Sequence, residues 1–128
     1  MAGADDVTIT NNSGGEIYAN GRVITLGNAT NVTINNSGKI YGTTGGNNAD
    51  TIYGANNTAS ITINNNSGGE IKNNGTNKAA IRLIKNSTIT NSGTIKNDKG
   101  PDYNAIKLKG NNTNVNLKDE GIIVEKFE

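Results

Sequence analysis

Apolar residues in this chain alternate with polar ones in short runs, and the runs return at regular distances. Val7-Thr8-Ile9-Thr10 is the first. Val32-Thr33-Ile34-Asn35, Ile61-Thr62-Ile63-Asn64 and Ser87-Thr88-Ile89-Thr90 repeat it, and Val115-Asn116-Leu117-Lys118 is a worn fifth copy. From Ile9 the equivalent positions read as Ile34, Ile63, Ile89 and Leu117, in steps of 25, 29, 26 and 28 residues. Alternation over four to eight residues marks a half-buried strand. A period of this length marks a solenoid.

Each run leads through an Asn/Ser/Gly corner into a short Gly-x-Ile segment, ending at Ile17, Ile40, Ile71, Ile95 and Ile122. Polar loops of variable length follow, clearest over residues 41–48 and 96–104. A third run closes the unit: Val23-Ile24-Thr25-Leu26, Thr51-Ile52-Tyr53-Gly54, Ala80-Ile81-Arg82-Leu83 and Ala105-Ile106-Lys107-Leu108. No stretch has helical periodicity. Three short strands per coil predict an all-β, single-stranded parallel β-helix of four coils and a partial fifth. The helix is expected over 7–122. Residues 1–6 read as a polar, unordered leader, a start Met with a vector remnant. Residues 123–128 read as a terminal strand that folds Phe127 over the open end as a cap.

The predicted interior is a set of columns running along the axis. One is Ile9, Ile34, Ile63, Ile89 and Leu117; another is Val7, Val32, Ile61, Ser87 and Val115. The second strand gives Ile17, Ile40, Ile71, Ile95 and Ile122. The third gives Ile24, Ile52, Ile81 and Ile106, with Leu26, Gly54, Leu83 and Leu108 beside them. At the first corner Asn12, Asn36, Asn66 and Asn91, then Asp119, are expected to form a structural ladder of stacked amides. Asn tolerates positive φ and so suits a sharp corner. The extra residues at Asn11/Gly15 and Asn65/Gly69 predict bulges.

Composition changes the picture in one respect. Hydrophobic residues make up 32% of the 128 positions and aromatics 4%, low for a compact globule. A thin coil interior needs few apolar residues, so the repeat overrides a reading of disorder. Cys and His are both absent, which removes disulfides, thiol nucleophiles, imidazole bases and Cys/His zinc sites. Net charge is +1, so no bulk attraction to nucleic acid is expected. No segment reaches membrane-spanning length.

Ile89-Thr90-Asn91-Ser92-Gly93-Thr94-Ile95, followed by the Ala105-Ile106-Lys107-Leu108 strand, resembles the repeat in passenger regions of bacterial autotransporters. The resemblance covers residues 7–122. It implies a right-handed parallel β-helix exported to the bacterial cell surface, and it suggests adhesion. It supplies no active site. The family's signal peptide, C-terminal membrane barrel and serine-protease segment are not in this stretch, so a piece of a longer secreted protein is expected.

The Asp residues, at 5, 6, 50, 98, 102 and 119, give no adjacent outward pair of carboxylates, so no enzyme, cofactor or metal site is expected. Gly45-Gly46-Asn47-Asn48-Ala49-Asp50-Thr51-Ile52-Tyr53 approaches a calcium-binding nonapeptide but lacks Gly at Asn48 and has no second copy. Thr8, Thr33, Thr62 and Thr88 form an outward column like those of ice-binding solenoids, although its neighbour reads Thr10, Asn35, Asn64, Thr90. Two other outward columns carry the candidate partner face: Tyr18, Tyr41, Lys72, Lys96 and Thr25, Tyr53, Arg82, Lys107. Tyr rings can stack on sugars and the cations can meet acidic glycans. The expected role is a non-enzymatic structural or adhesive segment of a secreted surface protein, with a host or surface glycan or protein as partner. Carbohydrate-active or glycan-binding function is the alternative. The segment is expected to be monomeric or to associate end to end.

Overall fold

The computed structural model describes residues 5–42, 49–54, 60–75, 78–84, 86–99, 103–110, 112–118, 121–124 and 126–127. The first sheet contains β1 (Asp6–Asn11), β4 (Asn31–Asn36), β7 (Ser60–Asn65), β10 (Ser87–Asn91) and β13 (Thr113–Leu117). The second contains β2 (Glu16–Ala19), β5 (Lys39–Gly42), β8 (Glu70–Asn73), β11 (Thr94–Asn97) and β14 (Ile122–Val124). The third contains β3 (Ile24–Leu26), β6 (Ile52–Gly54), β9 (Ile81–Leu83), β12 (Asn104–Leu108) and β15 (Lys126–Phe127). Every pairing is parallel, between strands one coil apart. The result is a β-solenoid of about four turns with three strands per coil.

Like residues stack on like. Ile9, Ile34, Ile63 and Ile89 are successive partners in the first sheet. Ile17, Ile40, Ile71 and Ile95 are partners in the second, and Ile24, Ile52, Ile81 and Ile106 in the third. β-Branched side chains fit such pleated columns because their χ1 is already restricted. Ile34, Ile63, Ile89, Ile40, Ile71, Ile95, Ile52, Ile81 and Ile106 are all fully enclosed. Burial of one aliphatic side chain stabilises by roughly 1.5–3 kcal/mol. In the Leu26–Gly54–Leu83 column the missing side chain of Gly54 leaves room that Ile61 Cδ1 fills.

The last coil departs from the expected register. Val115, not Leu117, lies beneath Ile89, and Leu117 lies beneath Asn91 at 59% exposure. The true step from Ile89 is therefore 26 residues, as in the coil before. Ile123, not Ile122, lies beneath Ile95, and Ile122 turns outward at 51% exposure. Val115 and Leu117 are both apolar and alternate, so a two-residue slip leaves the pattern unchanged. Register in the first three coils is fixed by paired Val/Ile positions that this copy lacks.

The N-terminal end also differs. β1 begins at Asp6, whose Oδ1 accepts a 2.8 Å hydrogen bond from Asn31 Nδ2, while Asp5 O accepts one from Asn31 N. Asp5 and Asp6 thus belong to the first coil rather than to a leader. At the other end Phe127 pairs in register with Ile106. Its backbone forms the next rung of the third sheet, the terminal strand expected there, and the side chain on which the expected cap depends lies outside the description.

The corner after the first sheet corrects the predicted ladder. Its members are Asn11, Asn36, Asn65 and Asn91, all buried. Asn11 Nδ2 donates to Asn36 Oδ1, Asn36 to Asn65, and Asn65 to Asn91, each at 2.8 Å. Asn36 and Asn91 stand where the sequence placed them. Asn12 and Asn66 do not: both are exposed. The extra residues form hydrogen-bonded turns rather than bulges, closed by Gly15 N to Asn12 O and Gly69 N to Asn66 O, both 2.8 Å. Positive φ falls on Gly14 and Gly68 in these turns. It also falls on Asn28, Asn86 and Asn112, at the corner that enters the first sheet, and not on the ladder.

Candidate functional site

Corner length alternates along the stack. Coils one and three carry the protruding turns Asn12–Gly15 and Asn66–Gly69, while coils two and four turn tightly through Ser37-Gly38 and Ser92-Gly93. The tight corner of coil two sits back between its two neighbours. This leaves an open notch of about 230 Å³ lined by Ser13, Gly15, Glu16, Ser37, Gly38, Lys39 and Gly68 among others. The sequence held the signal, an Asn-Ser-Gly-Gly corner alternating with Asn-Ser-Gly, but the notch follows only once the coils are stacked.

The outward columns of the second and third sheets are those expected. Tyr18, Tyr41, Lys72 and Lys96 are successive partners. The Tyr18 and Tyr41 rings stack with centroids 5.3 Å apart and planes 14° from parallel. Lys72 Nζ lies 5.5 Å from the Tyr41 centroid. Partial burial, with smaller effects from Glu16 and Tyr18, holds the Tyr41 phenol above its ordinary pKa.

The cations of this column are not free to meet a ligand. Lys72 lies 3.5 Å from Glu70 and 3.6 Å from Asp98; Lys96 lies 3.7 Å from Glu70 and 3.2 Å from Asp98. Two ammoniums and two carboxylates thus neutralise one another across β8 and β11. The hydrogen bond to Asp98 is the main cause that raises the Lys96 pKa; desolvation opposes it, and the charges of Asp98 and Glu70 add to it. Each pair is partly solvated and contributes little on its own.

In the third sheet Thr25, Tyr53, Arg82 and Lys107 are successive partners. The Tyr53 ring is held between guanidiniums from the coil before and the coil after. Arg22 stands 4.3 Å from its centroid and Arg82 5.7 Å. Such contacts are favourable because the ring face is electron-rich. Arg82 Nη1 also lies 3.7 Å from Oδ2 of the buried Asp50, whose Oδ1 accepts a 2.9 Å hydrogen bond from Ala79 N. The Asp50 carboxylate is thus hydrogen-bonded at Oδ1 by an amide, while the buried Oδ2 faces the guanidinium as an ion pair without a hydrogen bond. Residues 45–48 of the calcium-like nonapeptide lie outside the described residues.

These contacts reduce the aromatic part of the candidate partner face to one open ring. Tyr53 is covered by two guanidiniums, and Tyr41 by Tyr18 and Lys72. Tyr18 is 61% exposed, and among the described residues only Tyr41 stacks on it. The columns chiefly tie coil to coil.

A second polar device was missed at the corner between the second and third sheets. Asn73 and Asn97 are register partners and buried. Asn73 Nδ2 donates to Ala49 O and Thr51 Oγ1, both at 2.9 Å. Asn97 Nδ2 donates to Gly75 O, Lys78 O and Asn104 O. These amides hold loop carbonyls that would otherwise be buried unpaired. The repeated Ile-Lys-Asn of 71–73 and 95–97 was the legible sign. Among the described residues no three His, Cys, Asp or Glu side chains come together as a metal group. No protein-family model, curated protein or solved structure matches this chain.

Proposed function

We propose that this chain is a non-enzymatic scaffold and contact segment of a secreted bacterial surface protein, built like an autotransporter passenger. The observation that carries this reading is the use of the outward side chains. Tyr41, Tyr53, Lys72, Arg82 and Lys96 engage residues of adjacent coils. Side chains that would serve a catalytic cleft in another β-helix here brace the stack. A solenoid stabilised by nearest-neighbour coils is suited to hold surfaces at a distance from a membrane.

Display provides the test. The chain is fused upstream of an autotransporter translocator barrel and probed with extracellular protease. The reading requires export, with a folded fragment accessible on intact cells. Retention inside the cell would remove the passenger assignment.

Glycan binding is the second reading, and the open ring of Tyr18 favours it. An apolar ring face flanked by polar groups is the usual platform for a sugar ring. Loss of glycan-array signals in Tyr18→Ala would support it; unchanged signals would exclude that ring.

A further inference from the structure

The three outward faces differ in charge. Among the strands, Glu16, Lys39, Glu70, Lys72, Arg82, Lys96, Lys107 and Lys126 all lie in the second and third sheets. The first sheet contributes one charged residue, Asp6, at its outer edge. Its strands are also the longest, six residues each in β1, β4 and β7. Their register runs unshifted through all five strands.

The outward positions of this face are Thr and Asn almost throughout. Thr33, Thr62 and Thr88 lie in one column, and Asn35, Asn64 and Thr90 in the next. Strands are spaced about 4.8 Å apart and alternate residues about 6.6 Å apart, so the face is a regular lattice of hydroxyls and amides. Asn64 Nδ2 donates to Asn35 Oδ1 at 2.9 Å, which aligns those amides along the axis. Among the described residues the hydroxyls of Thr33, Thr62 and Thr88 find no partner.

Building on the contact-segment reading above, we infer that this face docks a neutral polysaccharide. The chemistry narrows the partner by elimination. A nucleic acid or acidic glycan needs counter-charges that the face lacks. A lipid surface or an apolar protein patch needs exposed apolar area, also lacking here. A neutral polysaccharide offers repeating hydroxyls that both donate and accept, as do Thr hydroxyls and Asn amides. Single contacts of this kind are weak, but repetition over several rungs makes them act together. The amides interrupting the Thr columns disfavour a crystalline water surface, which calls for uniform rungs.

The test uses the whole chain with insoluble cellulose and chitin as probes. Retention on at least one is expected, and it should hardly change between low and high salt, because no charge pair is involved. The triple variant Thr33→Val, Thr62→Val and Thr88→Val keeps β-branched side chains and removes three hydroxyls. It should bind at least about tenfold more weakly with an unchanged circular dichroism melt. Lys109→Ala, exposed beyond the end of β12 and outside the first sheet, should bind as the parent does. Absence of retention on both probes, binding that collapses with salt, or binding untouched by the triple variant would overturn the proposal. So would ice-recrystallisation inhibition lost with the same three hydroxyls and unaccompanied by polysaccharide retention. The surface-display experiment reports separately on the contact-segment reading itself.

Discussion

The amide of Asn36 donates to Oδ1 of Asn65 at 2.8 Å across 29 residues of chain. The same nitrogen donates to Gly38 O and Glu70 O, and Asn36 Oδ1 accepts from Asn11. One buried side chain therefore joins three coils, one amide hydrogen going to Asn65 and the other shared between the Gly38 and Glu70 carbonyls. Leaving a buried polar group unpaired costs about 1–3 kcal/mol. Asn36→Ala strands several groups, so a loss of about 3 kcal/mol or more is expected, read as a lowered urea midpoint. Asn12→Ala, at an exposed turn, should stay within about 0.5 kcal/mol of the parent.

Gly38 and Gly93 lie in the tight corners, under the protruding turns of the coil before. A methyl group on Gly38 would overlap the carbonyl oxygens of Gly15 and Asn12; on Gly93 it would overlap those of Gly69 and Asn66. Backbone must move to admit it. Gly14 has φ 82° but open space around it, so Ala there meets only left-handed strain of roughly 1–2 kcal/mol. Thermal denaturation should rank Gly38→Ala and Gly93→Ala as clearly more damaging than Gly14→Ala. The reverse order would mean that the alternating corners are not stacked this way.

Much of the fold was legible because interior Ile and Val recur with little substitution between equivalent coils. Ile9, Ile34, Ile63 and Ile89 define a column without any structure. The fifth coil was misread because Val115 and Leu117 satisfy the same alternation two residues apart. The ladder was half misread because Asn11-Asn12 and Asn64-Asn65-Asn66 offer adjacent amides, and only the closed turns decide which one points inward. Column membership of the Tyr and Lys residues was also legible. Their mutual engagement was not, since Glu70, Asp98 and Asp50 reach them only through stacking.

Alkaline pH should weaken the stack. Lys96 and Tyr41 both have raised pKa values in the folded chain. A raised folded value means that the folded state holds its proton more tightly than the unfolded state. The contribution is therefore complete below the ordinary Tyr and Lys values, about 10, and is lost as pH rises through the folded values. No His is present to titrate near neutrality. Urea midpoints should stay level from about pH 6 to about pH 9 and fall above about pH 10. Lys96→Met should make that alkaline fall shallower.

The most direct test of the coil stack is a distance between its ends. Thr8 and Asn114 lie in one column, linked through Thr33, Thr62 and Thr88. Four strand spacings separate them, about 19 Å. The chain has no Cys, so spin labels can be placed at these two positions alone. Electron–electron dipolar spectroscopy should return one narrow distribution near about 20 Å, allowing for the label arms. A broad distribution reaching much longer distances would contradict the β-solenoid.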